Sequence, residues 1–310
     1  MSENILVIKL GALGDFVQAS GPFAAIRAHH AGSRIVLLTS QPFADFAQDS
    51  PWFDEVWTDS KPRLLQIYEY LKLRAKLRAA NFSRIYDLQT SDRSNFYFRL
   101  FWPGPYPEWS GIARGCSHPH ANPQRDFMHT VERQEEQLAM AGIAAVPAFD
   151  YAWVKTDISR FGLADQFALL APGAAAHRPA KRWPRDNYRE LSAHLAGQSI
   201  QPVLIGGRDE KALLAAISDT IPAAINLAGE TSMDDLFILA KWAQLAIGND
   251  TGPMHAFAAG GSPTIVLYSH ESDPALCAQR GDTVSIIQRK NLASLSVSGV
   301  IDEIGNVTSF

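Results

Sequence analysis

Three segments of the sequence carry residues whose types and spacing could do chemistry, and the first lies near the N-terminus. It reads KLGALGD, from Lys9 to Asp15. Its turn residues Gly11, Ala12 and Gly14 would let the backbone bend sharply and approach a ligand. The Asp15 carboxylate could cap a helix or accept a proton from a substrate hydroxyl. The sequence leaves both interpretations of Asp15 open.

The second segment is a basic loop that follows an apolar, strand-like run ending at Gly173. It reads PGAAAHRPAKRWPR, and its cations are Arg178, Lys181, Arg182 and Arg185. Pro184 closes this loop just before a predicted helix. Positive side chains beside a helix N-terminus suit a phosphate group. A solvated basic loop without a ligand is the alternative interpretation.

The third segment, GNDTGPMHAFAAGGSPTIVLY, covers residues 248–268. It contains four residues that are favoured at a helix start, namely Asp250, Thr251, Gly252 and Pro253. Free N–H groups expected near Thr251 to Met254, together with the Thr251 hydroxyl, would suit a diphosphate. His255 would lie in the first helical turn and could reach the same ligand. A structural histidine is the alternative.

Several function classes lose support from the sequence. Neither glycine loop has the GxGxxG spacing of a dinucleotide site or the GxxxxGK[ST] spacing of a P-loop. Cys116 and Cys277 lie 161 positions apart, which favours neither a disulfide framework nor a zinc site. The 28 basic and 32 acidic residues do not favour a general nucleic-acid binder. With neither a run of about 20 apolar residues nor a secretory signal, we expect a soluble, intracellular chain.

The elements that position these segments are predicted from hydrophobic periodicity. Short β-branched runs alternate with amphipathic stretches, which indicates parallel sheets covered on both faces. The expected strands are 5–9, 34–39, 54–57 and 84–89, then 167–173, 202–207, 224–229, 245–250, 263–268 and 283–288. An irregular loop is expected over 102–126 and a helix over 128–142. The sequence predicts an α/β protein with two Rossmann-like domains, 1–152 and 153–310.

Two other predicted helices bear on the surface of the protein. The first, over 62–80, has the neighbouring or internal cations Lys61, Arg63, Lys72, Arg74, Lys76 and Arg78. Lys72 and Lys76 share one stripe of the helix, and Arg74 and Arg78 lie about 200° around the helix axis from it. No single cationic face therefore forms. We expect a solvated helix, with Arg63 left as an acceptor-binding candidate. The second, over 296–307, is expected to pack across a surface formed by the rest of the protein, and packing on the first domain is one option.

The three segments resemble, in order and spacing, the signature regions of glycosyltransferase family 9, the ADP-heptose:lipopolysaccharide heptosyltransferases. The resemblance covers residues 5–266, and its most specific part is the third segment. In the basic loop only the Lys-x-Trp-Pro core, Lys181 to Pro184, carries it. Shorter strings between the signatures, YDLQTSDRS, LIGGRDE and NLAGETSMDDL, also resemble segments of the family.

This resemblance implies a glycosyltransferase B fold, in which two Rossmann-like domains face each other across a cleft. The first domain would bind the acceptor and the second a nucleotide-sugar donor. The implied activity is an inverting transfer of heptose from ADP-heptose to the lipopolysaccharide inner core, without a metal or another cofactor. The implied location is the cytoplasm, and a peripheral contact with the inner membrane surface is allowed.

The resemblance also implies roles for individual residues. Asp15 matches the family's general base, with the loop of Gly11, Ala12 and Gly14 on the acceptor side. The residues matching the donor and phosphate site are Gly173, Lys181, Asp250, Thr251, Gly252, Pro253, Met254 and His255. Residues 174–176 are alanines where relatives commonly place a hydroxyl residue. The alternatives are a different nucleotide-sugar donor, an inactive nucleotide-sugar-binding protein and, more distantly, an oxidoreductase.

Overall fold

The computed structural model describes residues 3–62 and 66–308. The chain divides into two compact units, residues 1–150 and 151–310. The sequence placed this division two residues later, between 152 and 153. Each unit has its own parallel sheet and its own apolar core.

The first unit is an α/β unit built around a six-stranded sheet. Its strands are β1 (Asn4–Ile8), β2 (Arg34–Thr39), β3 (Glu55–Thr58), β4 (Arg84–Asp87), β5 (Glu108–Gly111) and β6 (His118–Pro119). Its helices are α1 (Leu13–Val17), α2 (Ser20–His29), α3 (Gln41–Asp49), α4 (Ile67–Ala79), α5 (Asp92–Arg99) and α6 (Thr130–Met140). The strand order is β3-β2-β1-β4-β5-β6, and every pair is parallel.

The second unit repeats this architecture. Its strands are β7 (Phe167–Ala171), β8 (Gln201–Leu204), β9 (Ile225–Asn226), β10 (Leu245–Asn249), β11 (Thr264–Tyr268) and β12 (Val284–Gln288). Its helices are α7 (Arg185–Gly197), α8 (Lys211–Ser218), α9 (Met233–Trp242), α10 (Gly252–Ala259), α11 (Pro274–Cys277) and α12 (Val297–Val307). The order is β12-β11-β10-β7-β8-β9, again with parallel pairs. The two Rossmann-like units predicted from the sequence are confirmed.

One part of the sequence prediction was wrong. The segment 102–126, expected to be irregular, contains the short strands β5 and β6. Strand β5 has only four residues and ends in glycine, so its own pattern carries no clear period. It exists because its backbone pairs with β4, where Trp109 lies opposite Ile85 and is fully buried. Pairing with a formed sheet therefore decides this strand.

The final helix, α12, packs within the core of the second unit. Its inward residues Val297, Val300 and Ile304 join the same buried cluster as β7 and β10. Among the helices in the described residues, none has both the length and the apolar content needed to cross a membrane.

The strand orders identify where ligands can bind. Each sheet reverses its winding direction at one place, between β1 and β4 in the first unit and between β7 and β10 in the second. Loops that leave neighbouring strands at such a point diverge to opposite faces of the sheet and leave a crevice at the carboxyl ends. The three chemistry-bearing segments follow β1, β7 and β10, so all of them lie at these two points.

Candidate active site

In the first unit, the loop after β1 is joined to the loop after β4. The Leu10 N–H donates to Gln89 Oε1 at 2.7 Å. The Lys9 side chain is buried, and its Nζ donates to the Leu88 carbonyl at 3.1 Å. These two bonds fix the path of the backbone just before the glycine loop, and neither residue had been singled out in the sequence.

Asp15 lies at the third residue of α1, and Ala12 occupies the cap position. This corrects the interpretation of Asp15 as the capping residue itself. The Asp15 Oδ2 accepts from the Ala12 N–H at 3.2 Å, so the carboxylate reaches back to the start of its own helix. The side chain is partly exposed. The contact uses one oxygen, and the half-exposed carboxylate keeps access to a ligand.

Two cations lie in the electrostatic surroundings of Asp15. Burial lowers the pKa of Lys9, while the carboxylates of Asp15 and Asp87 act in the opposite direction. Burial also lowers the pKa of Arg133 on α6, and Asp15 again opposes that effect. Asp87 is itself buried, which raises its pKa to about 6. Asp15 therefore shares one charged cluster with Lys9 and Arg133, and the sequence does not indicate it because no motif contains all three.

A cavity of about 680 Å³ lies beside the glycine loop. Its lining includes Gly11, Ala12, Leu13, Asp59, Lys61 and Arg93. Gly11 has a φ of +115°, and a Cβ there would lie 2.6 Å from the Phe43 ring, so both conformation and space require glycine. Arg63, the acceptor candidate from the sequence, lies outside the described residues.

In the second unit, the basic loop and the third segment meet in an ion pair. Lys181 Nζ lies 2.6 Å from Asp250 Oδ2, and the two side chains are only 13% and 8% exposed. Burial would raise the pKa of Asp250, but the Lys181 ammonium and the Ser272 hydroxyl together hold it below its usual value. The pair connects the loops after β7 and β10 at the switch point of the sheet.

Gln279, which no sequence motif marked, completes the surroundings of this pair. Its Nε2 donates to Asp250 Oδ1 at 3.2 Å and lies 3.2 Å from His255 Nε2. Its Oε1 accepts from the Tyr268 hydroxyl at 3.0 Å, and burial raises the pKa of that tyrosine, which keeps it a donor. Because Asp250 can only accept, the Gln279 amide nitrogen must face it. In a neutral His255 ring, Nε2 would then be the acceptor and Nδ1 would carry the proton.

Asn249, the last residue of β10, organises the backbone around the basic loop. Its Nδ2 donates to the Pro172 carbonyl at 2.7 Å, next to Gly173. Its Oδ1 accepts from the Trp183 N–H at 2.9 Å and from the Tyr188 hydroxyl at 3.1 Å. The fully buried amide therefore fixes both ends of the loop that contains Lys181. The sequence contained Asn249 in the GND string without indicating this role.

Gly173 lies against the carboxylate of Glu210. A Cβ at this position would come within 1.8 Å of Glu210 Oε1. Glu210 Oε2 accepts from the Gly207 N–H at 2.9 Å, which fixes the carboxylate beside the loop. A side chain at 173 would therefore have to displace the Glu210 carboxylate from the Gly207 N–H, and glycine leaves this bond in place.

The start of α10 offers fewer free donors than the sequence indicated. Thr251 occupies the N-cap position with an extended backbone, as expected, but its side chain forms no capping bond. Pro253 has no N–H, and the Met254 N–H donates to the Thr251 carbonyl at 3.2 Å. The Met254 side chain is fully buried against the sheet. The Thr251 hydroxyl and the Gly252 N–H remain as groups of this turn suited to an anion.

The other cations of the basic loop have separate roles. Arg182 Nη2 donates to the Ala174 carbonyl at 2.6 Å and so supports the loop. Arg185 pairs with Asp186 at the start of α7. Arg178 is exposed. Across residues 3–62 and 66–308, no group of three or more His, Cys, Asp or Glu side chains is placed to hold a metal ion.

Comparison with known sequences gives one family. The sequence model of "Glycosyltransferase family 9 (heptosyltransferase)" matches residues 70–293, most of the chain. Lipopolysaccharide heptosyltransferase 2 of Escherichia coli K12 is 37% identical over 121 residues. That alignment covers 37% of this chain and 34% of the relative, so the match spans about a third of the curated protein.

Solved structures resemble the whole chain. The E. coli ADP-heptose lipopolysaccharide heptosyltransferase II superposes with a TM-score of 0.80 at 23% identity, covering 99% of this chain and 98% of that one. The E. coli heptosyltransferase WaaC with ADP gives 0.79 at 21% identity, covering 98% and 100%. At these identities the likeness shows a shared fold, and that fold is the glycosyltransferase B fold expected from the sequence.

Proposed function

The chain belongs to glycosyltransferase family 9, and from this premise we propose that it transfers a heptose from ADP-heptose to the inner core of lipopolysaccharide. The observation that carries the proposal is the pairing of Lys181 with Asp250 at the switch point of the second sheet. The curated relative and both solved neighbours described above are named for heptose transfer, and one of these neighbours holds ADP.

The donor site of the proposal is the crevice formed by the loops after β7 and β10. The Lys181 ammonium, the Thr251 hydroxyl and the Gly252 N–H would bind the diphosphate of ADP-heptose. The Nδ1–H of His255 is a further donor in the same turn. In this proposal the diphosphate competes with Asp250 for Lys181, so donor binding loosens an ion pair that exists in the free protein.

Asp15 is the general base of the proposed reaction. It would take the proton from an acceptor hydroxyl while that oxygen forms a bond to the anomeric carbon of the heptose. The bond from this carbon to the diphosphate oxygen breaks on the opposite side, ADP leaves, and the anomeric configuration inverts. The partial exposure of this carboxylate supports the role, and the 680 Å³ cavity is lined by Gly11, Ala12 and Leu13, which directly precede the turn that carries Asp15.

We propose that the transfer needs neither a metal nor another cofactor. The leaving diphosphate carries negative charge, which Lys181 and the positive end of α10 would stabilise. The proposed acceptor is a lipopolysaccharide-core glycolipid, and the proposed place of action is the cytoplasmic face of the inner membrane.

Calorimetry with ADP, UDP, GDP and NAD, each without divalent metal, tests the donor assignment. Selective binding of ADP is expected. Release of ADP from ADP-heptose in the presence of a core acceptor, compared with ADP-glucose as donor, then tests the transfer. Preference for another nucleotide would indicate a different donor, and ADP binding without any turnover would indicate a binding protein.

A further inference from the structure

The outward face of α4 is apolar, although the sequence predicted a solvated, charged helix. Ile67, Tyr68 and Leu71 are 66%, 69% and 54% exposed, whereas Leu77 on the opposite side is buried in the first unit's core. At 100° per residue, the three exposed side chains fall within a sector about 100° wide. Three neighbouring large apolar side chains in solvent indicate a surface that another body covers.

Cations flank this apolar face on both sides. Lys72 lies over the Tyr68 ring at 4.4 Å, and Lys76 lies over the Trp57 ring at 3.9 Å, so their stems follow one side of the helix. Arg74 and Arg78 lie toward the other side, where their guanidinium groups donate to backbone carbonyls of residues 100–104. Glu69 is the sole carboxylate of α4, and it pairs with Lys72 at 3.0 Å. The helix therefore has a net positive charge around an apolar centre.

The loop after α5 extends the same surface. Arg74 Nη2 donates to the Trp102 carbonyl at 2.8 Å, which holds this loop against the helix. The Trp102 side chain is 69% exposed. A tryptophan next to a basic, outwardly apolar helix is the composition found where proteins lie in the interface of a bilayer.

The beginning of α4 is also tied to the candidate acceptor cavity. Tyr70 donates its hydroxyl hydrogen to the Pro62 carbonyl at 2.9 Å, and Arg93 Nη1 donates to the same carbonyl at 3.2 Å. Arg93 lines the 680 Å³ cavity beside the glycine loop. The first turn of α4 is therefore tied to a residue that lines the cavity in which the proposed glycolipid acceptor would bind.

We propose that α4, with Trp102, is a membrane-docking surface that lies in the interface of a bilayer containing anionic lipids. Ile67, Tyr68 and Leu71 enter the boundary between headgroups and acyl chains, and the exposed Lys72 and Lys76 contact the lipid phosphates. The inference rests on the proposed function in one respect, since it explains how the enzyme reaches an acceptor anchored in lipid. The charge of the helix selects an anionic surface over a neutral one.

Vesicle flotation of the full chain tests this surface without any sugar nucleotide. The wild type should float with vesicles of phosphatidylcholine and phosphatidylglycerol, and less with phosphatidylcholine alone. The double variant Ile67→Gln/Leu71→Gln should lower the partition coefficient about tenfold or more, because two apolar side chains no longer enter the bilayer. Lys72→Gln should lower it about fivefold on the anionic vesicles only. All of these side chains are exposed, so the melting temperature should not change.

Trp242→Gln is the matched control, since this side chain is 62% exposed in the second unit and should not affect flotation. Equal flotation of the double variant and the wild type would overturn the proposal. A second result would also overturn it: the wild type stays in the unbound fraction and sediments as a dimer, whereas the double variant sediments as a monomer. In that case α4 would be a contact between copies of this chain.

Transfer assays separate this inference from the proposed function. With an acceptor embedded in vesicles, kcat/KM of the double variant should fall, while a delipidated acceptor should be used equally by both proteins. If neither acceptor is used but flotation depends on Ile67 and Leu71, the heptosyltransferase assignment fails and the docking surface stands. An equal loss with both acceptors would place these residues in the acceptor site and overturn the docking role.

Discussion

At the residue scale, Asp15 can be tested by Asp15→Asn, a nearly isosteric change. The amide oxygen can still accept from the Ala12 N–H, so the melting temperature should stay within about 1 °C of wild type and ADP affinity should be unchanged. The amide cannot take a proton, so kcat should fall by about 10²- to 10⁴-fold. ADP release with a core acceptor measures the rate. Asp92→Asn, in the exposed first turn of α5, is the control and should have normal turnover. Normal turnover in Asp15→Asn would assign Asp15 to the start of α1 alone.

Lys181→Ala should affect both ligand binding and stability, because the structure gives Lys181 two functions. Loss of a charge-assisted bond to the diphosphate should raise the Kd of ADP about 10- to 150-fold. The same change leaves Asp250 buried without its cation, which should cost about 2 kcal/mol of unfolding free energy at pH 7. Calorimetry measures the first effect and urea denaturation the second.

The pH dependence of that destabilisation follows from Asp250. The pKa of Asp250 is lowered in the folded protein, so its ion pair stabilises the folded state at pH values above the unfolded-state pKa of about 4. This stabilisation is lost as the pH falls through the folded-state pKa. In Lys181→Ala the ammonium no longer opposes the effect of burial, which raises the pKa of Asp250, so the stability difference between the two proteins should begin to shrink above about pH 4 and continue to shrink as the pH falls through the folded-state value of the wild type. Adding Asp250→Asn to Lys181→Ala should restore stability at pH 7 without restoring ADP affinity. A pH-independent difference would show that the ion pair does not cause it.

Gln279 should determine the tautomer of His255. Two-bond ¹H–¹⁵N correlation spectra of ¹⁵N-histidine-labelled protein should show the proton of His255 on Nδ1 in the wild type, because Nε2 accepts from Gln279. Gln279→Leu removes that donor and should shift the ring toward the Nε2–H form, as it prevails in solvent. His194→Gln, on α7, leaves the His255 signals in place and identifies the other resonances. A wild-type ring protonated on Nε2 would contradict this assignment.

At the scale of elements, the loop between β7 and α7 depends on the last residue of β10. Asn249→Ala leaves the buried Trp183 N–H and Pro172 carbonyl without their partner and should destabilise the protein by about 2 to 4 kcal/mol. ADP affinity should fall as well, because Lys181 lies within the loop that Asn249 organises. Urea denaturation and calorimetry measure the two effects. Asn187→Ala, which removes a partly buried bond to the Leu295 carbonyl, is the control that should keep ADP affinity.

The short strands β5 and β6 show the same dependence of a local element on its surroundings. Their residues are too few to display a period, and Gly111 at the end of β5 has low strand propensity. They become strands because β4 already presents a free parallel edge. Sequence periodicity therefore found β1, β2, β3 and β4 and missed the two strands on one side of this sheet.

At the scale of the whole molecule, the two units should respond to different ligands. All of the groups assigned to ADP lie in residues 151–310, and the acceptor-side loop lies in residues 1–150. When ADP is added, the backbone amides of residues 172–183 and 249–256 should exchange hydrogen more slowly, whereas those of residues 9–15 and 87–91 should keep their rates. Mass spectrometry of the intact chain with and without ADP measures this. Comparable protection of 9–15 by ADP alone would show that the donor is held by both units.

The sequence by itself determined the class of the fold and the location of the chemistry. The alternation of apolar runs with helical segments is a local property, and it predicted the central strands of both sheets. Three loop motifs, each within about twenty residues, carried Asp15, Lys181 and the turn from Asp250 to His255. A parallel strand always delivers the loop after it to the same edge of the sheet, which is why motif position alone located these residues at the switch points.

Only the tertiary structure decided which of these residues meet and what surrounds them. Lys181 and Asp250 are 69 positions apart, and Gln279 lies 29 positions beyond Asp250. Their contact requires β10 to pair with β7, an order that local patterns do not encode. The cations around Asp15 and the outward apolar face of α4 likewise follow from which side of each helix the core covers. Pairwise contacts over such distances are set by packing, and a linear pattern of residue types does not contain them.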